Sequence, residues 1–198
     1  MGKDIYRTIS TKSQGFYSEK GSKFISYAFP VESEEQVKEN LQYLKKKHYD
    51  ARHHVYAFII GADQSFYRAS DDGEPSNSSG IPVLGQLRSF DLTNTLIIVV
   101  RYFGGTKLGV PGLINAYKTA ASDAINNAVI IEKTVNDNLE IEFSYDDMNF
   151  VMKAIKDYNI DIINQEFLVD CKINVSIRRS LKNNFIEQLK QNHRIKIK

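Results

Sequence analysis

Residues 96–128 carry the sequence LIIVVRYFGGTKLGVPGLINAYKTAASDAINNA, and this stretch says most about the fold. It begins with five consecutive aliphatic residues, which are typical of a central strand that is buried on both faces. A glycine-rich loop follows, and Pro111 then stands in the first turn of a long helix, where proline is tolerated. The helix has one apolar stripe, formed by Leu113, Ala116, Tyr117, Ala120, Ala121, Ala124, Ile125 and Ala128. The stretch therefore predicts a buried strand that leads through a loop into an amphipathic helix.

The segments on the N-terminal side of this stretch predict a mixed α/β domain. Residues 23–31 form one predicted strand, and residues 55–60 and 66–69 form a predicted hairpin across a turn that contains Gly61. Ser33 is followed three residues later by a glutamine, which is a helix-capping pattern. We therefore expect a helix between the first strand and the hairpin.

The overall composition excludes several classes of protein. The formal net charge is only +2, from 26 basic and 24 acidic residues, which excludes a chain that coats nucleic acid through charge alone. The single cysteine excludes an internal disulfide framework and multi-cysteine metal sites. The longest aliphatic run is too short to span a membrane, and the N-terminus lacks the continuous apolar segment of a signal peptide. We therefore expect a cytoplasmic protein with no membrane partner.

The C-terminal third of the chain predicts a second domain. A polar stretch at residues 134–138 marks the boundary, so the expected domains are residues 1–134 and residues 135–198. Strand and helix patterns then follow in the order β-α-β-β-α-β, which is the ferredoxin-like split pattern. Cys171 and Val169 share the apolar face of one predicted strand, which indicates a buried, inert thiol.

Charge is unevenly distributed along this second domain. Residues 135–171 hold two lysines against nine acidic residues, whereas residues 172–198 hold eight basic residues against one glutamate. The first and last strands of a ferredoxin-like sheet pair antiparallel, so opposite charges are expected to face each other across that ladder. The expected pairs join Glu140 and Glu142 with Arg194 and Lys196. Three cations remain as a candidate anion-binding patch: Arg178, Arg179 and Lys182.

Two glycine-rich loops in the first domain each lead into a predicted helix. One is residues 78–82, which opens a helix that ends near residue 90, and the other is residues 104–109. The unpaired N–H groups and positive dipole end of a helix start favour anions. The predicted phosphate- or nucleic-acid-binding residues are Arg101, Gly104, Gly105, Lys107 and Gly109.

The same domain contains two histidines and three carboxylates that leave an enzymatic alternative open. His53 and His54 are adjacent in a predicted strand, so they point to opposite faces and cannot jointly bind one metal ion. One histidine with Asp71, Asp72 or Glu74 could bind a metal or perform acid–base chemistry, but the carboxylates also lie in good turn sequence. The usual nucleotide-binding and zinc-protease motifs are absent, so we expect no cofactor and no metal.

Long motifs in this region resemble the YigZ/IMPACT family. They are HHVYA at residues 53–57, DDGEPS at residues 71–76 followed by Gly80-Ile81-Pro82, and RYFGGTKLGVPGLINAY at residues 101–117. The resemblance covers residues from about 20 to 128. The C-terminal part is similar to the ferredoxin-like domain that accompanies bacterial YigZ proteins. The family usually has an arginine where this chain has Asn115 and a more flexible residue in place of Pro111, which weakens an anion site assigned there.

The resemblance implies an α+β chain with two domains of known type. The first would have the ribosomal protein S5 domain 2-like fold, as in domain IV of elongation factor G, and the second would resemble the C-terminal domain of elongation factors. Eukaryotic IMPACT proteins regulate translational control kinases through an additional N-terminal RWD domain, so that role is not carried over.

Residues and resemblance together predict a non-enzymatic binding protein associated with translation. Its expected partner is the ribosome or structured RNA, or a translation-factor protein, contacted through the loop that bears Arg101 and Lys107. The alternative is a metal- or phosphate-dependent hydrolase that uses the histidine and carboxylate set named above.

Overall fold

The computed structural model describes residues 4–168 and 170–198 and has a mixed α+β architecture. It forms two compact units. The N-terminal unit is Tyr6–Lys133, and the C-terminal unit is Thr134–Lys198 together with Asp4 and Ile5. The first described residues thus group with the C-terminal unit, whereas the sequence assigned them to the N-terminal domain. The reason is local, because the Asp4 carboxylate accepts hydrogen bonds from Ser180.

The N-terminal unit is built on a five-stranded sheet with helices on both faces. Its strands are β2 (Ser13–Glu19), β3 (Ser22–Pro30), β4 (His53–Ile60), β5 (Phe66–Ser70) and β6 (Thr95–Tyr102). They lie in the order β2-β3-β6-β4-β5, and every neighbouring pair is antiparallel. The central strand β6 is buried from Thr95 to Arg101, as its aliphatic run predicts.

Three helices cover this sheet: α1 (Glu34–Lys47), α2 (Gly80–Ser89) and α3 (Gly109–Asn126). Val37 and Leu44 of α1 share a core with Leu96 and the other even-numbered residues of β6. Helices α2 and α3 share a second core with Ile97 and Val99 on the opposite face. Because successive side chains of a strand point to opposite faces of the sheet, the residues of β6 and its neighbours alternate between these two cores.

Three strands of the N-terminal half are not predicted by the sequence pattern. Strands β1 (Ile5–Ile9) and β7 (Ile130–Thr134) pair in a separate two-stranded sheet, and β2 is an edge strand. In β2 a glycine interrupts the apolar pattern. A Cβ on Gly15 would lie 2.4 Å from the backbone nitrogen of Ala124 in α3, so only glycine allows the helix to pack this closely. Because glycine has no side chain, it does not contribute to the alternating apolar pattern that identifies a strand.

The C-terminal unit alternates strands and helices in the order β-α-β-β-α-β. Its elements are β8 (Asn136–Ser144), α4 (Met148–Asp157), β9 (Asp161–Phe167), β10 (Asp170–Arg178), α5 (Lys182–Lys190) and β11 (Lys196–Ile197). The sheet order is β11-β8-β10-β9, with antiparallel neighbours. Cys171 is fully buried in the core of this unit. Val169, predicted on the same face, lies outside the described residues.

The charge pairing expected across β8 and β11 is present in part. Lys196 lies opposite Glu142 in the ladder, and Lys198 Nζ is 2.7 Å from a Glu142 carboxylate oxygen. Arg194 precedes β11 and is not part of the paired ladder. Its guanidinium pairs with the buried carboxylate of Asp147, which precedes α4.

The candidate anion-binding patch of the C-terminal unit is not free. Arg178 pairs with Asp4, and Arg179 and Lys182 both pair with Asp137 at 3.1 and 3.2 Å. These acidic partners come from the start of the chain and from β8. Two carboxylates thus offset two of the three positive charges, a result that the linear charge pattern does not predict.

Within the part of the chain that the structure describes, no helix has both the length and the apolar character needed to cross a membrane.

Candidate functional site

A pocket of about 460 Å³ lies beside the end of β6 and the start of α3. Its polar lining consists of Arg52, His53, Glu74, Arg101 and Lys107, and its apolar lining consists of Pro75, Phe103, Leu108, Val110 and Leu113. Residues from both predicted sets, the phosphate-binding set and the acid–base set, thus meet in one place. Gly109 also lines the pocket, whereas Asn115 does not.

A buried ion pair forms one wall of the pocket. Arg101 Nη1 donates to Glu74 Oε1 at 2.6 Å, and the two side chains are only 7% and 4% exposed. In the sheet, Arg101 lies opposite Phe24 of β3 and opposite His53 of β4. The guanidinium carbon is also 5.5 Å and 5.6 Å from the ring centroids of Phe24 and Phe103. Arg101 is therefore held by a carboxylate and by two aromatic rings.

Glu74 accepts a second hydrogen bond from a residue that the sequence places only in the core. The hydroxyl of Tyr117 in α3 donates to Glu74 Oε1 at 2.7 Å. Burial raises the pKa of Tyr117, and the neighbouring Glu74 carboxylate raises it further. The signal that could have revealed this bond is a tyrosine within an otherwise apolar stripe, because a buried phenol needs an acceptor.

His53 is oriented by the backbone of the acidic loop. Its Nδ1 is 2.8 Å from the carbonyl oxygen of Asp72. A carbonyl oxygen only accepts, so Nδ1 carries the proton, and the neutral ring has its lone pair on Nε2. His53 Nε2 lies 4.0 Å from Glu74 Oε1. The structure therefore brings one histidine and one carboxylate together in the pocket.

Asp71 and Asp72 serve the local backbone. Asp71 accepts hydrogen bonds from Asn77 N, Ser79 N, Ser79 Oγ and Gly80 N at 2.7–3.1 Å, and so caps the start of α2. Burial alone would raise the pKa of Asp71, but these hydrogen bonds outweigh it and lower the pKa. The carboxylate of Asp72 accepts a 2.6 Å hydrogen bond from the backbone N–H of His54. Both carboxylates are thus occupied in holding the loop, as the turn interpretation of this sequence expects.

His54 points away from the pocket. It lies opposite Val100, on the face of the sheet that α1 covers, and it is buried. Burial lowers the pKa of His54, and its Nε2 has no hydrogen-bond partner among the described residues. Those residues also contain no cluster of three or more histidine, cysteine or carboxylate side chains that could hold a metal ion. The hydrolase alternative would therefore have to rely on His53 and Glu74.

The paired glycines after β6 have different roles. A Cβ on Gly104 would lie 1.9 Å from the backbone carbon of Gly21, so this position permits close contact between two chain segments. The Gly104 N–H donates to Ser22 Oγ at 3.1 Å and is not free to bind a phosphate. This corrects the expectation that Gly104 cradles an anion. Gly105 and Gly109 instead adopt positive φ values of 87° and 72°, which favour glycine.

Two cations at the pocket have no acidic partner in the described residues. Arg52 and Lys107 are both exposed, and neither forms an ion pair there, whereas the charge of Arg101 is offset by Glu74. Helix α3 begins at Gly109 without a side-chain cap. Arg52 was not among the binding residues predicted from the sequence, because no local pattern connects its position with the loop after β6.

Known proteins match the region that contains the pocket. Residues 20–125 match the family model described as the Impact N-terminal domain, and this range includes every residue that lines the pocket. The Bacillus subtilis protein named IMPACT family member YvyE is 40% identical over 112 residues, which cover 57% of this chain and 52% of that relative. The chain thus spans about half the length of that relative.

Two further matches extend over more of the chain. The Escherichia coli protein named IMPACT family member YigZ is 31% identical over 150 residues, covering 75% of this chain and 74% of that protein. A crystal structure described as that of a hypothetical protein is 25% identical, with a TM-score of 0.74 over 98% of this chain and 97% of that one. With its N-terminal unit matched by the family model and most of its length matched by YigZ, the chain belongs to the IMPACT family.

Proposed function

We propose that this protein is a non-enzymatic binding protein associated with translation, and that it contacts the ribosome or another structured RNA through the pocket at the start of α3. One observation carries the proposal. Arg52 and Lys107 are exposed at the pocket without an acidic partner in the described chain, and the uncapped start of an 18-residue helix lines the same pocket.

The physical basis is the affinity of this arrangement for phosphate. Lysine and arginine without an internal partner can neutralise phosphate charges and release counterions. The first N–H groups of α3 add donors and the positive end of the helix dipole. Arg101 lines the same pocket, where its pairing with Glu74 fixes the guanidinium in the wall.

A local site fits the charge of the whole chain. With a net charge of +2, attraction to RNA at long range is weak. Binding must then depend on a few well-placed cations rather than on general coating. We accordingly propose a defined site on the ribosome or on a folded RNA in the cytoplasm.

The topology supports the proposed link with translation factors. We propose that the N-terminal unit has the S5 domain 2-like fold and that the C-terminal unit is ferredoxin-like. The strand order β11-β8-β10-β9, with the first and last strands of the unit paired, supports the second assignment. The fold alone does not determine function, so the proposal depends on the pocket.

Co-sedimentation with purified ribosomes between about 50 and 200 mM salt tests the proposal. Lys107→Ala should weaken binding and reduce the slope of log affinity against log salt by about 1, the effect expected when one phosphate contact is lost. Lys118→Ala is the matched control, because Lys118 is an exposed lysine further along α3 that does not line the pocket. Absence of binding to ribosomes and to structured RNA at the lowest salt would end the proposal.

A further inference from the structure

The chemistry of the pocket also indicates which feature of an RNA it would bind. Resting on the proposed function, we infer that the pocket holds one unpaired nucleotide, with its base against Phe103 and its phosphate at Lys107 and the start of α3. The inference goes beyond general RNA contact, because it separates an unpaired nucleotide from the backbone of a duplex.

The shape and polarity of the pocket fit an unpaired nucleotide. A volume of about 460 Å³ is in the range of sites that enclose a small organic molecule. Half of the lining is apolar and comes from Pro75, Phe103, Leu108, Val110 and Leu113. A duplex presents its phosphates and sugars on a convex surface and keeps its bases stacked, whereas an unpaired base can leave the stack and enter a cavity.

The position of Phe103 suits the stacking of a base. This residue is 48% exposed although it lines the pocket, so its ring is accessible to a ligand. The Arg101 guanidinium lies 5.6 Å from the ring centroid and is itself fixed by the 2.6 Å bond to Glu74. An aromatic ring supported in this way is a platform on which any base can stack.

Lys107 and the start of α3 suit the binding of the phosphate. Lys107 has no acidic partner in the described chain, and it precedes the uncapped start of α3. Arg101 supplies an independent observation, because its side chain is only 7% exposed, lines the same pocket and keeps its Nε without a hydrogen-bond partner. The carboxylate of Glu74 does not oppose an anion strongly, since Arg101 and Tyr117 both donate to it.

Two RNA hairpins that differ by one nucleotide test the inference. One is fully paired in its stem, and the other carries a single bulged 2-aminopurine, whose fluorescence falls when it stacks. The full-length protein should bind the bulged hairpin more tightly and quench its fluorescence. Phe103→Leu should weaken binding of the bulged hairpin by about 5- to 150-fold, the equivalent of one lost base–aromatic stack. It should leave the salt dependence unchanged, and Phe103→Tyr should restore the affinity.

Phe16→Leu is the matched control, because Phe16 is 53% exposed on β2 and does not line the pocket. Equal affinity for the two hairpins, or full affinity in Phe103→Leu, would overturn the inference while leaving the proposed function intact if Lys107→Ala still reduces the salt slope. Free 2-aminopurine nucleoside monophosphate that binds as tightly as the bulged hairpin would overturn the assignment to RNA. No binding of either hairpin would overturn the inference, and the ribosome co-sedimentation described above then decides the proposed function separately.

Discussion

Glu74→Ala is the substitution that tests the wall of the pocket most severely. It removes the acceptor of two hydrogen bonds and leaves Arg101 and the Tyr117 hydroxyl without their partner. Breaking a buried ion pair by deleting one member typically costs about 3–5 kcal/mol, because the other charge stays buried. The loss of the tyrosine bond is part of the same network and is not added separately. Since the pocket admits solvent, water can reach Arg101, and we expect a loss of about 3 kcal/mol in the free energy of unfolding.

Urea denaturation followed by far-UV circular dichroism measures this loss. The control is Glu34→Ala, which breaks a 3.4 Å pair with Arg68 whose members are 34% and 57% exposed. Exposed pairs contribute about 0–1 kcal/mol, so this variant should unfold almost like the parent protein. The double variant Glu74→Leu/Arg101→Met should lose less than the sum of the single Glu74→Leu and Arg101→Met losses, because it removes both buried charges. A loss below about 1 kcal/mol for Glu74→Ala would refute the reasoning.

Three further substitutions test other parts of the N-terminal unit by the same denaturation assay. Gly104→Ala should lower the free energy of unfolding by about 1–3 kcal/mol, because the added Cβ would meet the Gly21 backbone. Gly85→Ala should not lower it, because a Cβ at that position would lie in open space. Asp71→Ala should lower the free energy of unfolding by about 0.5–2 kcal/mol at neutral pH, because it removes the cap of α2. Equal stability of the variant and the parent protein would contradict this role. Because the folded-state pKa of Asp71 is lowered, its contribution is present above about pH 3.8 and is lost as the pH falls from there through the folded-state pKa. Burial likewise lowers the pKa of His54 below 6.5, so protonation favours the unfolded chain and stability should fall as the pH drops below that value. His54→Leu should reduce this fall by up to about 1.4 kcal/mol at pH 5.5, and an unchanged pH dependence would contradict the assignment.

The central elements of the fold can be predicted because their periodicity is strong. The aliphatic run of β6 and the apolar stripe of α3 show from local sequence alone which residues are buried. The helix ends at Asn126, so Ala128 of the predicted stripe lies just beyond it. The edge strand β2 could not be predicted in this way. Its Gly15 is required because α3 packs against the backbone there, and a glycine adds nothing to the hydrophobic pattern of the strand.

The candidate site was predictable in its residue types but not in its contacts. Strand alternation correctly separates His53 from His54. The pairing of Glu74 with Arg101 and Tyr117 joins residues 27 and 43 positions apart, and no local rule connects them. For the same reason the Asp71 cap of α2 is not visible in the sequence, because the capping residue is supplied from outside the helix.

The most direct test of the proposed function is the salt dependence of ribosome binding by Arg52→Ala/Lys107→Ala. Its control is Lys12→Ala/Lys118→Ala, which removes the same charge at exposed positions away from the pocket. Two lost phosphate contacts should reduce the slope of log affinity against log salt by about 2, so that between 50 and 200 mM salt the parent protein loses about tenfold more affinity than the variant. The control should keep the parent slope. Equal slopes for the pocket variant and the parent protein would contradict binding at this pocket.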